Sequence, residues 1–258
     1  MGYWMKNYVI SLTSALDRRK HIEQEFGKQN IEFEFFDAIM PDQAQVLFKK
    51  FFPQIDLSRL SRGEIACSAS HIMIWQILLE QNLEYITVFE DDIFLGKNVE
   101  VFLNTTDWLP EKWDIIKLET FLEKTFLSSN SIHVSDRQLY TLKGAHFGTG
   151  GYMISKSGAK KLLEYIGKQQ YLTPIDHIMF AQSLNDRMVD INQFYPAICI
   201  QEKILNEQVS LSSELESSRQ NWQPNKGKLS FMDKVLREIF RLGLQIKKTL
   251  FAKIVPFC

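Results

Sequence analysis

The stretch Tyr85-Ile86-Thr87-Val88-Phe89-Glu90-Asp91-Asp92-Ile93-Phe94 constrains this chain most. β-Branched and aromatic residues run straight into three adjacent carboxylates, and the chain then turns apolar again. A short apolar run bounded by polar residues reads as a buried strand. Acidic groups crowded at the end of such a strand repel one another and lose hydration, so they require a compensating cation. Hard oxygen ligands suit Mn2+ or Mg2+, ions that commonly bridge a protein carboxylate to a substrate's phosphates. The stretch therefore points to a metal–diphosphate site at the edge of an α/β sheet. A solvated acidic turn after an ordinary strand is the alternative reading.

Strands and helices alternate around this feature. Tyr8 to Leu12 reads as a first strand, followed by a helix that starts at Thr13-Ser14, carries Arg18 and Arg19, and closes at Gly27. Ile31 to Phe35 alternates strictly, as a half-buried strand does, and residues 40–60 read as an irregular connection. Ser61-Arg62-Gly63-Glu64 has the form of a capping box and opens a helix to about Glu80, with His71 and Trp75 on one face. Such a histidine is either a packed core residue or a ligand. Val99 to Leu103 reads as a short helix, and Trp113 to Leu118 as a strand ending in another carboxylate, Glu119. Leu139 to Leu142, Tyr152 to Ser155, Met188 to Ile191 and Pro196 to Ile200 read as further strands, with a helix from Ser157 to Ile166 stopped by Gly167. No repeat is visible. The alternation argues for α/β architecture with helices on both faces of a largely parallel sheet, and such sheets carry their ligand site at the strand ends.

Two further segments are candidates for chemistry. Gly144 to Ser155 contains a tight glycine-rich loop, which permits unusual backbone angles and close approach of a ligand, although a purely structural turn has the same composition. It lacks the spacing of a dinucleotide fingerprint. Thr173-Pro174-Ile175-Asp176-His177 places Asp176 in a helix's first turn, either as a charge partner for the dipole or as a general base.

Composition narrows the classes. In 258 residues the net charge is −1, so no nucleic-acid footprint is expected. Cys67, Cys199 and Cys258 are odd in number and widely spaced, which reads as reduced thiols rather than a disulfide or zinc framework. No secretory signal or membrane span is evident, and a cytoplasmic location is expected. Ser210 to Asn225 is polar and serine-rich. Beyond it Lys226, Lys228, Lys234, Arg237, Arg241, Lys247, Lys248 and Lys253 face only Asp233 and Glu238, with apolar residues at helical spacing. This division suggests a catalytic domain over residues 1–215 and a linker with a basic amphipathic tail over 216–258. The tail, over 226–258, either contacts an anionic membrane surface peripherally or docks on the domain.

The ordered set of segments resembles glycosyltransferase family 25, the group of lipooligosaccharide-biosynthesis and collagen-galactosyltransferase-like enzymes. The matching pieces are Val9-Ile10-Ser11-Leu12 with Arg18-Arg19, Phe36-Asp37-Ala38, Arg62-Gly63-Glu64-Ile65-Ala66-Cys67-Ser68-Ala69-Ser70-His71, Phe89-Glu90-Asp91-Asp92, Gly148 to Ile154, and Pro174-Ile175-Asp176. Ser213-Glu214-Leu215 departs from the Ser-Asp-Ile that relatives more often show. The resemblance implies a GT-A-like fold with a UDP-sugar over the sheet and Mn2+ or Mg2+ at the acidic motif. It implies Asp92 as metal ligand, with Glu90 and Asp91 on the nucleotide side, and Ser11, Leu12 and Arg18 at the nucleotide. It places Gly150 and Gly151 beside the donor sugar. Asp176 becomes the general base of an inverting transfer, with UDP-galactose as donor and a lipooligosaccharide core sugar as acceptor. The competing classes are a non-catalytic nucleotide- or carbohydrate-binding protein on the same fold and a metal-dependent phosphoesterase. The scattered histidines supply no obvious two-metal cluster for the latter.

Overall fold

A computed structural model of the chain describes residues 5–205 and 248–258. The serine-rich segment, Ser213-Glu214-Leu215 and most of the basic tail lie outside the described residues.

The chain begins with β1 (Asn7–Ser11), α1 (Leu16–Gly27), β2 (Glu34–Asp37), α2 (Pro41–Phe51), α3 (Arg62–Glu80) and β3 (Tyr85–Glu90). It continues through β4 (Ile93–Leu95), α4 (Glu100–Leu103), β5 (Ile115–Lys117), β6 (Glu119–Thr120), β7 (Lys124–Thr125), β8 (Leu127–Val134) and β9 (Arg137–Leu142). Then come β10 (Gly151–Ser155), α5 (Lys156–Gly167), α6 (Ile175–His177) running into a π-turn over Ile178–Gln182, α7 (Ser183–Asn185), β11 (Ile191–Tyr195), β12 (Cys199–Gln201), α8 (Glu202–Leu205) and β13 (Lys253–Ile254).

The central sheet has eight strands in the order β2-β1-β3-β10-β5-β11-β9-β8. Among the described residues, strands β2, β1, β3, β5, β11 and β8 point one way, and β10 and β9 run against them. The sheet is thus mixed but largely parallel, and its two faces bury separate clusters. Tyr8, Ile86, Val88, Tyr152 and Ile154 face α2, α3 and α5, where Phe48, Trp75 and Leu162 pack. The alternate residues Val9, Phe89, Met153 and Phe194 face Ile22 and Phe26 of α1 and Phe102 of α4. Coverage of both faces explains why these strands read as continuous apolar runs.

Several boundaries differ from the sequence expectation. Residues 40–60 are not irregular, because α2 occupies Pro41 to Phe51. Pro41 stands at a first-turn position, where its missing N–H costs nothing, and Gln43 Oε1 accepts the Met40 N–H. Thr13 and Ser14 do not cap α1, which begins at Leu16 without a side-chain cap. The alternating Ile31–Phe35 run becomes a strand only from Glu34, because pairing with β1 runs from Tyr8↔Glu34 to Ser11↔Asp37. The strands expected at Met188–Ile191 and Pro196–Ile200 form at Ile191–Tyr195 and Cys199–Gln201. The capping box is realised: Ser61 Oγ accepts from Glu64 N, and Glu64 Oε2 accepts the Ser61 N–H at 2.9 Å.

The last residues return to the domain as a strap. β13 pairs antiparallel with β7, and Val255 is fully buried. The Val255 carbonyl accepts from Thr120 Oγ1 at 2.7 Å, that of Pro256 from Ala197 N at 2.8 Å, and that of Cys258 from Arg137 Nη2 at 2.8 Å. Thr120 belongs to β6, which pairs with β12 beneath the acidic motif. For this end of the tail, docking is the arrangement present.

Candidate active site

The acidic residues at the end of β3 do not share one environment. Asp91 turns to α1, where Arg18 Nη1 donates to its Oδ1 at 2.5 Å. Both partners are largely buried, so this pair is a fixed part of the site. Arg19, one residue on, donates to the carbonyls of Ser11 and Leu12 at 3.1 Å and pairs with Asp37. Ser11 and Leu12 therefore sit at the end of β1, with their carbonyls tied to α1.

Glu90 is held on several sides. Thr149 Oγ1 donates to its Oε1 at 2.5 Å and Gln201 Nε2 to its Oε2 at 2.9 Å. His71 Nε2 lies 3.5 Å from Oε1, a loose contact rather than a good hydrogen bond. Burial opposes ionisation of Glu90, but His71, Thr149 and the charge of Lys203 outweigh it, leaving the carboxyl at about 2. A relay stands behind His71: Trp75 Nε1 donates to Tyr152 OH at 3.0 Å, and that hydroxyl meets His71 Nδ1 at 2.8 Å. Since Tyr152 already accepts from Trp75, its own proton is satisfied by donation to Nδ1, which puts the imidazole N–H on Nε2, facing Glu90.

Asp92 is the carboxylate left over. Its Oδ1 is buried and has no hydrogen-bond partner among the described residues. Burial, then repulsion by Glu90, push its pKa up to about 7, against the pull of Arg18. A buried oxygen acceptor without a donor, in a field that disfavours its charge, fits a site completed by a cation. Hard oxygen donors of this kind suit Mn2+ or Mg2+. The expectation that the whole motif demands one counter-cation is thus refined, because Arg18 neutralises Asp91 and neutral donors hold Glu90.

A second carboxylate, Glu119 at the start of β6, lies beneath the glycine loop and is fully buried. Its Oε2 accepts from Gly150 N at 2.9 Å and from Lys117 Nζ at 3.3 Å, while its Oε1 has no partner among the described residues. Lys117, also fully buried, donates to the Gly148 carbonyl at 2.6 Å and lies 4.0 Å from the centre of the Phe180 ring. Burial drives both groups toward neutrality, pushing Glu119 up to about 8, helped by Glu90, and Lys117 down. This pair accounts for the glycines. Gly148 has φ +94°, and a Cβ on Gly150 would stand 2.6 Å from Glu119 Oε1 and 2.8 Å from Gln201 Nε2. Gly151, by contrast, is the first residue of β10 and packs against Cys199 and Phe89 inside the sheet.

Asp176 closes the far side. In the short α6 its Oδ1 accepts the His177 N–H at 2.9 Å and its Oδ2 the Gly148 N–H at 3.3 Å. Phe147, partly exposed, stacks on the His177 ring at 4.3 Å. Hydrogen bonds thus run from Asp176 through Gly148, Lys117, Glu119 and Gly150, whose carbonyl accepts the Glu90 N–H at 3.1 Å. The structure brings Glu90, Asp91, Asp92, Arg18, Gly150 and Asp176 to one end of the sheet. Sequence reasoning missed the roles of Lys117, Thr149, Gln201 and Phe147. Glu119 was visible as a carboxylate ending an apolar strand, but nothing in the local pattern signalled Gln201.

The family model described as "Glycosyltransferase family 25 (LPS biosynthesis protein)" matches residues 5–179. The chain is 37% identical over 271 residues to "Lipooligosaccharide biosynthesis protein lic2B" of Haemophilus influenzae, covering 97% of this chain and 98% of that protein. It is 34% identical over 258 residues to "Lacto-N-neotetraose biosynthesis glycosyltransferase LgtE" of Neisseria meningitidis serogroup B, covering 95% and 92%. With "Lacto-N-neotetraose biosynthesis glycosyltransferase LgtB" of the same organism it shares 35% over 229 residues, covering 83% of each chain.

Proposed function

The chain belongs to glycosyltransferase family 25, and from that premise we propose that it transfers galactose from UDP-galactose to a sugar hydroxyl of a lipooligosaccharide core, with inversion and with a divalent metal. The observation that carries the site assignment is the division of labour in the acidic motif. Asp91 is neutralised, Glu90 is anchored, and of the three Asp92 alone keeps a buried oxygen without a partner among the described residues.

In this reading Asp92 would hold the cation, with Glu90 toward the ribose or a metal-bound water. Such a cation offsets the negative charge that grows on the departing nucleoside diphosphate. Arg18 keeps Asp91 from competing for it and adds positive potential at the nucleotide. Ser11 and Leu12 border the nucleotide, and Gly150 lets the donor sugar approach the backbone above Glu119. Asp176, its carboxylate oriented by the Gly148 and His177 N–H groups, takes the proton of the acceptor hydroxyl as that oxygen attacks the anomeric carbon. A single displacement inverts the anomeric centre and requires no enzyme nucleophile. Phe147, stacked on His177 beside Asp176, offers an apolar ring for an acceptor sugar. The lipid-linked acceptor also suits a peripheral membrane role for the basic tail, and no described helix is long and apolar enough to cross a membrane.

Calorimetric titration of UDP with Mn2+, with EDTA, and with Asp92→Asn tests the site. Product analysis with UDP-galactose and a lactose-type acceptor tests the reaction. Metal-dependent UDP binding that is lost in the variant, together with transfer abolished in Asp176→Asn, is the expected result. UDP binding without turnover would favour the non-catalytic alternative, and no UDP binding by the folded protein would overturn the transfer reading and leave, of that alternative, only carbohydrate binding.

A further inference from the structure

We propose that Cys67, His71 and Glu90 form a binding site for a borderline-soft divalent cation of the zinc class, separate in chemistry from the oxygen-ligand position at Asp92. Cys67 and His71 lie one helical turn apart on α3, so their side chains project to the same side. The end of β3 brings Glu90 against them, and the sulfur, the imidazole nitrogen and the carboxylate oxygen all lie within 4.8 Å of one another. Zinc bonds of about 2.0 Å to nitrogen or oxygen and about 2.3 Å to sulfur put tetrahedral ligand atoms about 3.3–3.5 Å apart. His71 Nε2 and Glu90 Oε1 already stand at 3.5 Å. A side-chain movement of about 1 Å closes the sulfur onto them.

An independent observation points the same way. His71 is fully buried, yet its Nε2, aimed at Glu90, has no hydrogen-bond partner among the described residues. With its proton moved to Nδ1, that nitrogen presents a lone pair that a cation shared with Glu90 would satisfy. The other nitrogen, Nδ1, meets Tyr152 OH, itself held by Trp75 Nε1, which fixes the orientation of the ring. Donor softness sets the selectivity. Thiolate and imidazole favour Zn2+ or Co2+, whereas Mn2+ and Mg2+ prefer all-oxygen sites. Cys67 and Glu90 retain partial exposure, which supplies an entry path and a water for the fourth position.

The proton balance is simple. The Cys67 thiol releases its proton to solvent on binding. The imidazole stays neutral: its proton moves from Nε2 to Nδ1, and the Tyr152 hydroxyl, which donates to Nδ1 in the metal-free protein, turns its own proton away and accepts from Nδ1.

Co2+ is the probe, because its bond to a thiolate gives a near-ultraviolet charge-transfer band independent of any substrate or turnover. Titration of the full chain without nucleotide should give that band at one equivalent, reversed by Zn2+ and not by Mn2+. Cys67→Ser, which keeps a small polar group and the fold, should abolish the band and weaken Zn2+ binding at least tenfold. Cys199→Ser and Cys258→Ser should leave both unchanged. No band from the folded wild-type chain overturns the proposal. So does a band that survives Cys67→Ser or disappears in Cys258→Ser. Because binding is read by absorbance, failure of the glycosyl-transfer reading would not touch this outcome.

Discussion

The strap offers a sharp test, since a single buried methyl pair reports whether the end of the tail belongs to the catalytic domain. Val255 is fully buried, and its neighbour Ile254 is 47% exposed. Val255→Ala removes two carbons from a packed site. At about 0.8 kcal/mol per buried methylene plus a cavity contribution, the loss is about 2 kcal/mol. For a chain of this size that corresponds to a fall of about 4–8 °C in Tm. Ile254→Ala should stay within about 0.5 kcal/mol, as exposed substitutions do. Urea unfolding followed by circular dichroism gives both values from midpoints at constant m. If the tail were a separate membrane-binding appendage, Val255→Ala would leave the midpoint unchanged, and that result would refute the docking. The same reasoning corrects how membrane recruitment should be tested. Deleting 226–258 also removes the strap and should destabilise the catalytic domain. An internal deletion of 226–247 with a short linker isolates the basic segment, and unchanged vesicle binding in it would defeat the membrane role.

Other outcomes follow from the site. Gly150→Ala should abolish transfer and lower stability by about 1–3 kcal/mol, because its Cβ would meet Glu119 and Gln201, which are themselves buried; retained activity would contradict the packing. Arg18→Met leaves Asp91 largely buried without its partner and should cost about 2 kcal/mol while weakening UDP binding; adding Asp91→Asn should recover most of the stability but not the affinity. Burial, reinforced by the charge of Lys117, holds the His146 pKa down to about 3 against the Gln193 hydrogen bond. The unfolded chain therefore takes up a proton as pH falls below the ordinary histidine value while the folded chain does not. His146 lowers stability by about 1.4 kcal/mol per pH unit over that window as the medium acidifies. His146→Gln should flatten the stability profile between about pH 6 and 4, and an unchanged slope would place the acid sensitivity elsewhere.

Much of this architecture was legible in the chain because its signals are local. The capping box at Ser61 and Glu64 is closed by two side chains three residues apart, so spacing suffices to foresee it. The β3 run is recognisable because a strand covered on both faces is apolar at nearly every position, Thr87 being the buried exception. Helix α2 escaped because its start depends on Pro41 and on a Gln43 contact to the Met40 backbone, signals that a polar, proline-containing stretch obscures. Similarly, β11 and β12 were displaced because neighbouring strands set their register.

By itself the sequence determined that a buried strand ends in carboxylates, that helices and strands alternate, and that Asp176 opens a helical turn. Those properties follow from residue order, side-chain period and backbone restriction over a few positions. Only the tertiary structure decided which carboxylate is free. Arg18 reaches Asp91 across 73 positions and Gln201 reaches Glu90 across 111. Glu119 and Lys117 converge under Gly148 and Gly150 through the insertion of antiparallel β10 beside β5. Charge compensation depends on distance and burial in three dimensions, and adjacent acids in the chain carry no record of either.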